Sequence, residues 1–173
     1  MEEENWQLIE LSKINDKIIQ SLLYKLKTKL SEDVFISLES LFKIGQRAIS
    51  LVKKFLIQHS ESKVYHIALI RLLLQYLQEK PVNPRLFKLY HPDFVIRAKA
   101  IMEISKKDIL DNLALMLPIL NDPDDSVRYA MIKTLLNYEL MSHNKIIPHL
   151  KKHYKRESNS VIKRKIRRFL ENC

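Results

Sequence analysis

The sequence predicts an all-α protein built from repeated helix pairs, and three observations carry that prediction. Glycine occurs once in 173 residues, where average usage is about 7% and strand turns, phosphate loops and dinucleotide folds need glycine at positive φ. That scarcity excludes β-rich, Rossmann-like and P-loop architectures. Apolar residues fall at helical spacing within segments that recur roughly every 31 residues. Capping residues stand between those segments, where helices would start.

The repeat is clearest in the middle of the chain. His91 to Ile104 aligns without gaps on Asp122 to Leu135, pairing Pro92 with Pro123, Asp93 with Asp124, Ile96 with Val127 and Arg97 with Arg128, a spacing of 31 residues. With the aliphatic residue before the Arg as anchor, further copies are placed at Val34, Val64 and Ile162, at successive intervals of 30, 32, 31 and 35 residues. Anchor plus four is Leu38, Ala68, Ala100, Met131 or Ile166, and anchor plus eight is Phe42, Leu72, Ile104, Leu135 or Leu170. Offsets of 0, 4 and 8 return to one side of a 3.6-residue helix, so each copy holds an amphipathic helix with a core-facing stripe.

Each element follows from local chemistry. Before every anchor runs a second apolar-periodic segment, at Ile18 to Leu30, Ala48 to Ile57, Arg85 to Tyr90, Ile109 to Leu120 and Ile146 to Tyr154, so each copy is an antiparallel helix pair. Ser31 with Glu32 and Asp33, Ser60 with Glu61, Asp93, Asp124, and Ser158 with Asn159 supply acceptors ahead of the second helices. Gly45 stands where the first pair would end in a left-handed cap. Pro81 and Pro84 break the chain, with Asn83 and Pro84 in an Ncap and N1 arrangement. Residues 1–15 are expected to form a capping helix through Trp6, Ile9 and Leu11, followed by repeats at about 16–45, 46–80, 83–107, 108–141 and 145–172, all within a single domain.

The segments LPILNDPDDSVRYAMIKTLL and LFKLYHPDFVIRAKAIMEI resemble HEAT repeats of the short bacterial and archaeal kind, with Pro118 and Pro148 at the first-helix proline. The resemblance implies an α-α superhelix, a HEAT-like α-solenoid of about five helix pairs. It also implies that Arg97, Arg128, Asp93 and Asp124 tie neighbouring repeats together rather than bind a ligand. Copies one and two lack the Asp-Pro and the Arg, and copy five carries an insertion of about four residues in its turn region. Ankyrin and tetratricopeptide patterns fit worse.

Charge and cysteine usage bound the setting. The single cysteine is Cys173, which leaves no internal disulfide, and the acidic start MEEENWQ is unlike a signal peptide. No apolar run approaches a membrane span, and a cytoplasmic protein is expected. From Lys145 to Cys173 there are ten Lys and Arg against two Glu, a local charge of +8, whereas residues 1–144 carry 20 basic and 18 acidic side chains.

Catalytic signatures are missing from the sequence. There is no Gly-x-Ser-x-Gly, His-Glu-x-x-His or internal Cys. His149, His153 and Glu157 have the spacing of a two-His, one-carboxylate metal site, but Lys151, Lys152, Lys155 and Arg156 would repel a cation, so a solvated face is the reading and neither a metal nor a cofactor is assigned. A HEAT-like di-iron hydroxylase uses His-Glu dipeptides, and none occur here. HEAT-like DNA glycosylases work with Trp, Asp and Arg in a basic groove, and the sole Trp6 lies outside the repeats, so an enzyme of that type is the third alternative.

Two surfaces remain as sites. The second-helix face opposite the core offers Ile70, Leu73, Met102, Tyr129, Lys133 and Leu136 as an apolar groove for a protein or peptide. The helix Val64 to Leu77 is apolar nearly all round, which implies burial on both sides, by the chain's own fold or by a partner. The C-terminal end offers Lys151, Lys152, Lys155, Arg156, Lys163, Arg164, Lys165, Arg167 and Arg168 to a polyanion, nucleic acid first. The expected function is a non-catalytic interaction or scaffold module whose partner is another protein or a second copy, with nucleic-acid binding as the alternative.

Overall fold

The computed structural model describes residues 14–26, 32–59 and 64–171. The chain is an all-α solenoid with no strand among the described residues. It divides into two compact units, Met1–Val82 and Asn83–Cys173. The expected capping helix through Trp6, and the Ser31 and Ser60 caps, lie outside the described residues.

The first unit contains α1 (Asp16–Lys25), α2 (Glu32–Ile44), a 3-10 turn (Gly45–Ala48), α3 (Ile49–Gln58) and α4 (Val64–Leu77). Asn15 caps α1 by accepting from the Ile18 N–H. Gly45 has φ +66, as a left-handed position requires, but the chain runs on through the 3-10 turn into α3 instead of ending a helix pair in a loop. The α1–α3 contact is built from rings. Tyr24 meets Phe55 edge-on at 5.3 Å, Phe55 stacks on His59 at 4.1 Å, and the Tyr24 hydroxyl lies 3.2 Å from His59 Nε2.

The second unit holds three helix pairs. They are α5 (Arg85–Lys88) with α6 (Phe94–Glu103), then α7 (Lys106–Asp111), α8 (Leu113–Met116) and a 3-10 turn (Leu117–Asn121) with α9 (Asp125–Asn137), and finally α10 (Ile147–Arg156) with α11 (Ser160–Leu170). Second helices follow one another in space, α6 against α9 and α9 against α11. The first helix of the middle pair is broken at Asn112, whose side chain donates to the Asp108 carbonyl, and again at Pro118, which opens the 3-10 turn. Pro148 sits in the first turn of α10, where a missing N–H costs nothing.

The stripes at offsets 0, 4 and 8 supply much of the core of this unit, although Ile96 and Leu170 are only half-buried. Ala100, Ile104, Val127, Met131, Leu135, Ile162 and Ile166 are all buried. Asp93, Asp124 and Asn159 cap α6, α9 and α11 by accepting from the backbone two residues on. Pro84 rather than Asn83 occupies the N-cap of α5, while the Asn83 side chain still accepts from the Arg85 N–H. The intrapair turn of copy five, 157–159, is as short as 122–124, so its extra residues lie in the 138–146 connection. With glycine so scarce, positive φ falls to Glu79 (φ 58) and Glu139 (φ 57), which end α4 and α9.

Candidate functional site

The side chains most tightly organised in the second unit form a ladder between pairs. Arg97 on α6 donates from Nε and Nη2 to the two carboxylate oxygens of Asp122, both at 2.9 Å, and from Nη1 to the carbonyls of His91 and Pro92. One repeat on, Arg128 makes the same bidentate bond to Glu157, both at 2.9 Å, and donates to the carbonyls of Asp122 and Pro123. Both acids are 0% exposed. Each acid also accepts from the backbone two residues on, Asp122 from Asp124 N–H and Glu157 from Asn159 N–H. The planar guanidinium matches the carboxylate fork, and the remaining acceptor capacity is filled by the turn.

Arg97 and Arg128 therefore tie repeats together, while their acids are Asp122 and Glu157, five residues before the anchors, and not Asp93 or Asp124. The latter two are spent on N-capping. Lys163 occupies the Arg position in copy five and places its Nζ 5.4 Å from the Tyr154 ring centre.

The solvated-face reading of α10 holds for His149, which is exposed, and fails for His153 and Glu157, which are buried. His153 Nε2 lies 2.7 Å from Glu157 Oε2, although not aligned as a hydrogen bond. Burial lowers the His153 pKa from its usual 6.5 against the opposing pull of Glu157, so the ring is neutral at pH 7. Burial alone would raise the Glu157 carboxyl, but the Arg128 hydrogen bonds, the Asn159 N–H and the Arg128 charge outweigh it and hold the pKa at about 2. Glu157 in turn raises the pKa of Arg128.

The expected groove is not one open surface. Ile70 and Leu73 are 0% exposed, sealed within the fold, because most of α4 is buried, with Ile67, Leu69, Leu72 and Leu77 buried beside them and Arg71, Gln75 and Tyr76 left exposed. A side chain with no accessible area offers a partner nothing. The other four belong to the second unit, where Met102 is 52% exposed, Lys133 is exposed, and Tyr129 and Leu136 are half-buried. Val95 and Val161, also exposed, lie one residue before their anchors.

Among the basic residues, Lys151, Lys152, Lys155 and Arg156 are exposed on α10, and Arg164, Arg167 and Arg168 on α11. Arg167 lies 3.6 Å from Glu171. Lys163 and Lys165 are half-buried, and Lys165 Nζ stands 5.5 Å from the Tyr129 ring centre. That cation–π contact links the expected groove to the basic end, and the i,i+3 spacing within each helix gave no sign of it.

No helix among the described residues is long and apolar enough to cross a membrane, and no cluster of three or more His, Cys, Asp or Glu among them could hold a metal ion. The chain shows no significant match to any characterised protein or solved structure. The family model for HEAT repeats matches residues 80–171, the stretch that contains the whole Arg–carboxylate ladder. The chain belongs to the HEAT repeat family.

Proposed function

We propose that the second unit is a non-catalytic docking module that takes an acidic, partly apolar segment of another protein along its row of second helices. HEAT repeats generally mediate protein interaction or scaffolding, and the family is generally non-catalytic. The observation that carries the reading is the composition of the open row at anchor minus one, plus two and plus six. It runs from Val95, Ala98 and Met102 through Ser126, Tyr129 and Lys133 to Val161, Arg164 and Arg168. One end is apolar and exposed, the other cationic, and the two Arg residues that could have confused the picture are consumed inside the ladder. Charge complementarity selects an occupant with carboxylates toward α11 and an apolar side chain against Met102.

The test is capture from an extract of the protein's own cells by immobilised wild type and by the Met102→Asp/Lys133→Glu variant, each with and without nuclease. Both substituted side chains are exposed, so the variant should fold. The reading expects a protein retained by wild type, lost by the variant and indifferent to nuclease. Equal retention by the variant would overturn it.

A second reading, polyanion binding at the C-terminal end, is favoured by the fate of Glu157. This carboxylate is buried against Arg128 and cannot offset the Lys and Arg of α10 and α11. Binding of DNA or RNA that falls by orders of magnitude between 50 mM and 0.5 M salt, and nuclease-sensitive capture, would favour it.

A further inference from the structure

We propose that the row of second helices on α6, α9 and α11 takes residues 2–11 of a second copy of this chain, so that copies join head to tail. The inference rests on the reading of that row as a docking face for an acidic, partly apolar segment, and it names the segment.

Residues 2–11 read EEENWQLIEL. Four of them are Glu and none is Lys or Arg, and no other stretch of twelve residues in the chain holds four acids without a base, as residues 1–12 do. Glu2, Glu3 and Glu4 come first and Trp6, Leu8, Ile9 and Leu11 follow, so one half is anionic and the other mainly apolar. The row has the matching division. Val95 and Met102 are exposed at its α6 end, Lys133 is exposed at its middle, and Arg164 and Arg168 are exposed at its α11 end. None of the nine positions of the row is an acid. Complementarity therefore seats Glu2 to Glu4 on α11 and the apolar side chains on α6.

The lengths agree. Packed helices stand about 8–10 Å apart, so the step from α6 across α9 to α11 is about 20 Å. An extended chain covers that in about six residues at ~3.3–3.6 Å each, the separation of Glu3 from Ile9. Only Ser12 to Asn15 stand between Leu11 and α1, so at most about 18 Å of extended chain ties the segment to the first unit of its own copy. The row of a second copy approaches without that tether. Because the contact pairs two different surfaces, every added copy brings another segment and another row, and association continues into rings or open chains.

The experiment is sedimentation of the full chain at 0.05 and 0.5 M salt. Wild type should associate as its concentration rises, at least tenfold more weakly at the higher salt. The variants Glu2→Lys/Glu3→Lys/Glu4→Lys and Arg164→Glu/Arg168→Glu each set like charge against like, and each alone should stay monomeric. Their equimolar mixture should associate within threefold of wild type, a rescue that a folding defect in either variant would not give. A nitroxide on Gln7→Cys in a Cys173→Ser background should broaden the Met102 methyl signal of a separate, isotope-labelled copy. Wild type that stays monomeric, a mixture that stays monomeric, or broadening of Met102 only when nitroxide and isotope share one copy would overturn the proposal. Those results leave the docking reading standing if an extract protein is still captured by wild type and lost by Met102→Asp/Lys133→Glu, whereas equal capture by that variant removes the reading itself.

Discussion

Helix pairs on the two sides of the Pro81–Pro84 break are joined by different chemistry. In the first unit α1 meets α3 through Tyr24, Phe55 and His59, with polar contacts at its margin. In the second, successive pairs are bolted by bidentate Arg–carboxylate bonds in which both acids are fully buried. The sequence positions explain why. At anchor plus one the copies carry Phe35, Tyr65, Arg97, Arg128 and Lys163, and at anchor minus five Lys29, His59, His91, Asp122 and Glu157. Wherever the first position is aromatic, the position that would receive an Arg from it, His59 or His91, is not an acid. A buried charge without its partner costs several kcal/mol, so the two positions must be charged together or not at all. The difference teaches that helix pairs of this chain are joined either by ring contacts or by paired buried charge, and that the HEAT family model matches where the charge is used.

The comparison breaks most sharply in the core of α9. Leu135 is 0% exposed, and Leu135→Asp should cost more than about 4 kcal/mol through an unpaired buried carboxylate. Hydrogen exchange should then show residues 85–170 opening first, and wild-type protection there would mean the stacking is misread.

Next in size is removal of one ladder member. Arg128→Met leaves Glu157 buried without its guanidinium and should cost about 3–5 kcal/mol by chemical denaturation. The matched change in the first unit, Tyr24→Phe, removes an exposed hydroxyl contact to His59 and should cost at most about 1 kcal/mol. Equal losses would erase the distinction between the units.

Acid should sharpen the same contrast. The unfolded chain binds a proton at Glu157 near pH 4.5 while the folded one does so only at about 2, so between those values the unfolded state holds more protons and stability falls with pH. His153 acts in the same direction from pH 6.5 downward, since its folded pKa is also lowered. The second unit should lose a few kcal/mol between pH 6.5 and 2, and Glu157→Gln, already destabilised, should show a flatter pH profile. A wild-type profile as flat as that of the variant would contradict the assignment.

The repeat period, the core stripes and the Asp93 and Asp124 caps were legible because each is a local pattern that one helix turn suffices to read. The ladder's acids were not. Asp93 and Asp124 stand beside the Arg in the aligned segments, whereas the true partners come from the following repeat, across 25 and 29 residues. The offset of minus five was readable, since Asp122 and Glu157 share it and Asn159 matches Asp124. The burial of Ile70 and Leu73 was written in the nearly all-round apolarity of α4, broken by Arg71 and Gln75, yet composition does not say what covers a helix. Burial of His153 was masked by Lys151, Lys152 and Lys155 on either side of it in sequence. The positive φ of Glu139 escaped notice because glycine is its usual mark.

That last residue gives the smallest expected effect. Glu139 pays a strain for φ 57 that glycine would not, so Glu139→Gly should raise stability by about 0.5–1 kcal/mol. Destabilisation there would show that the side chain contributes more than its backbone strain costs.

The central claim, that paired buried charges join the repeats of the second unit, is tested most directly by a double-mutant cycle on Arg97 and Asp122 with Arg97→Met, Asp122→Leu and the double variant, followed by urea denaturation at 0.05 and 0.5 M salt. Each single change should be costly, the double should recover much of the loss, and the coupling should exceed about 2 kcal/mol at both salt concentrations, because the pair is shielded from solvent. Additive single effects, with coupling below about 0.5 kcal/mol, would contradict the account.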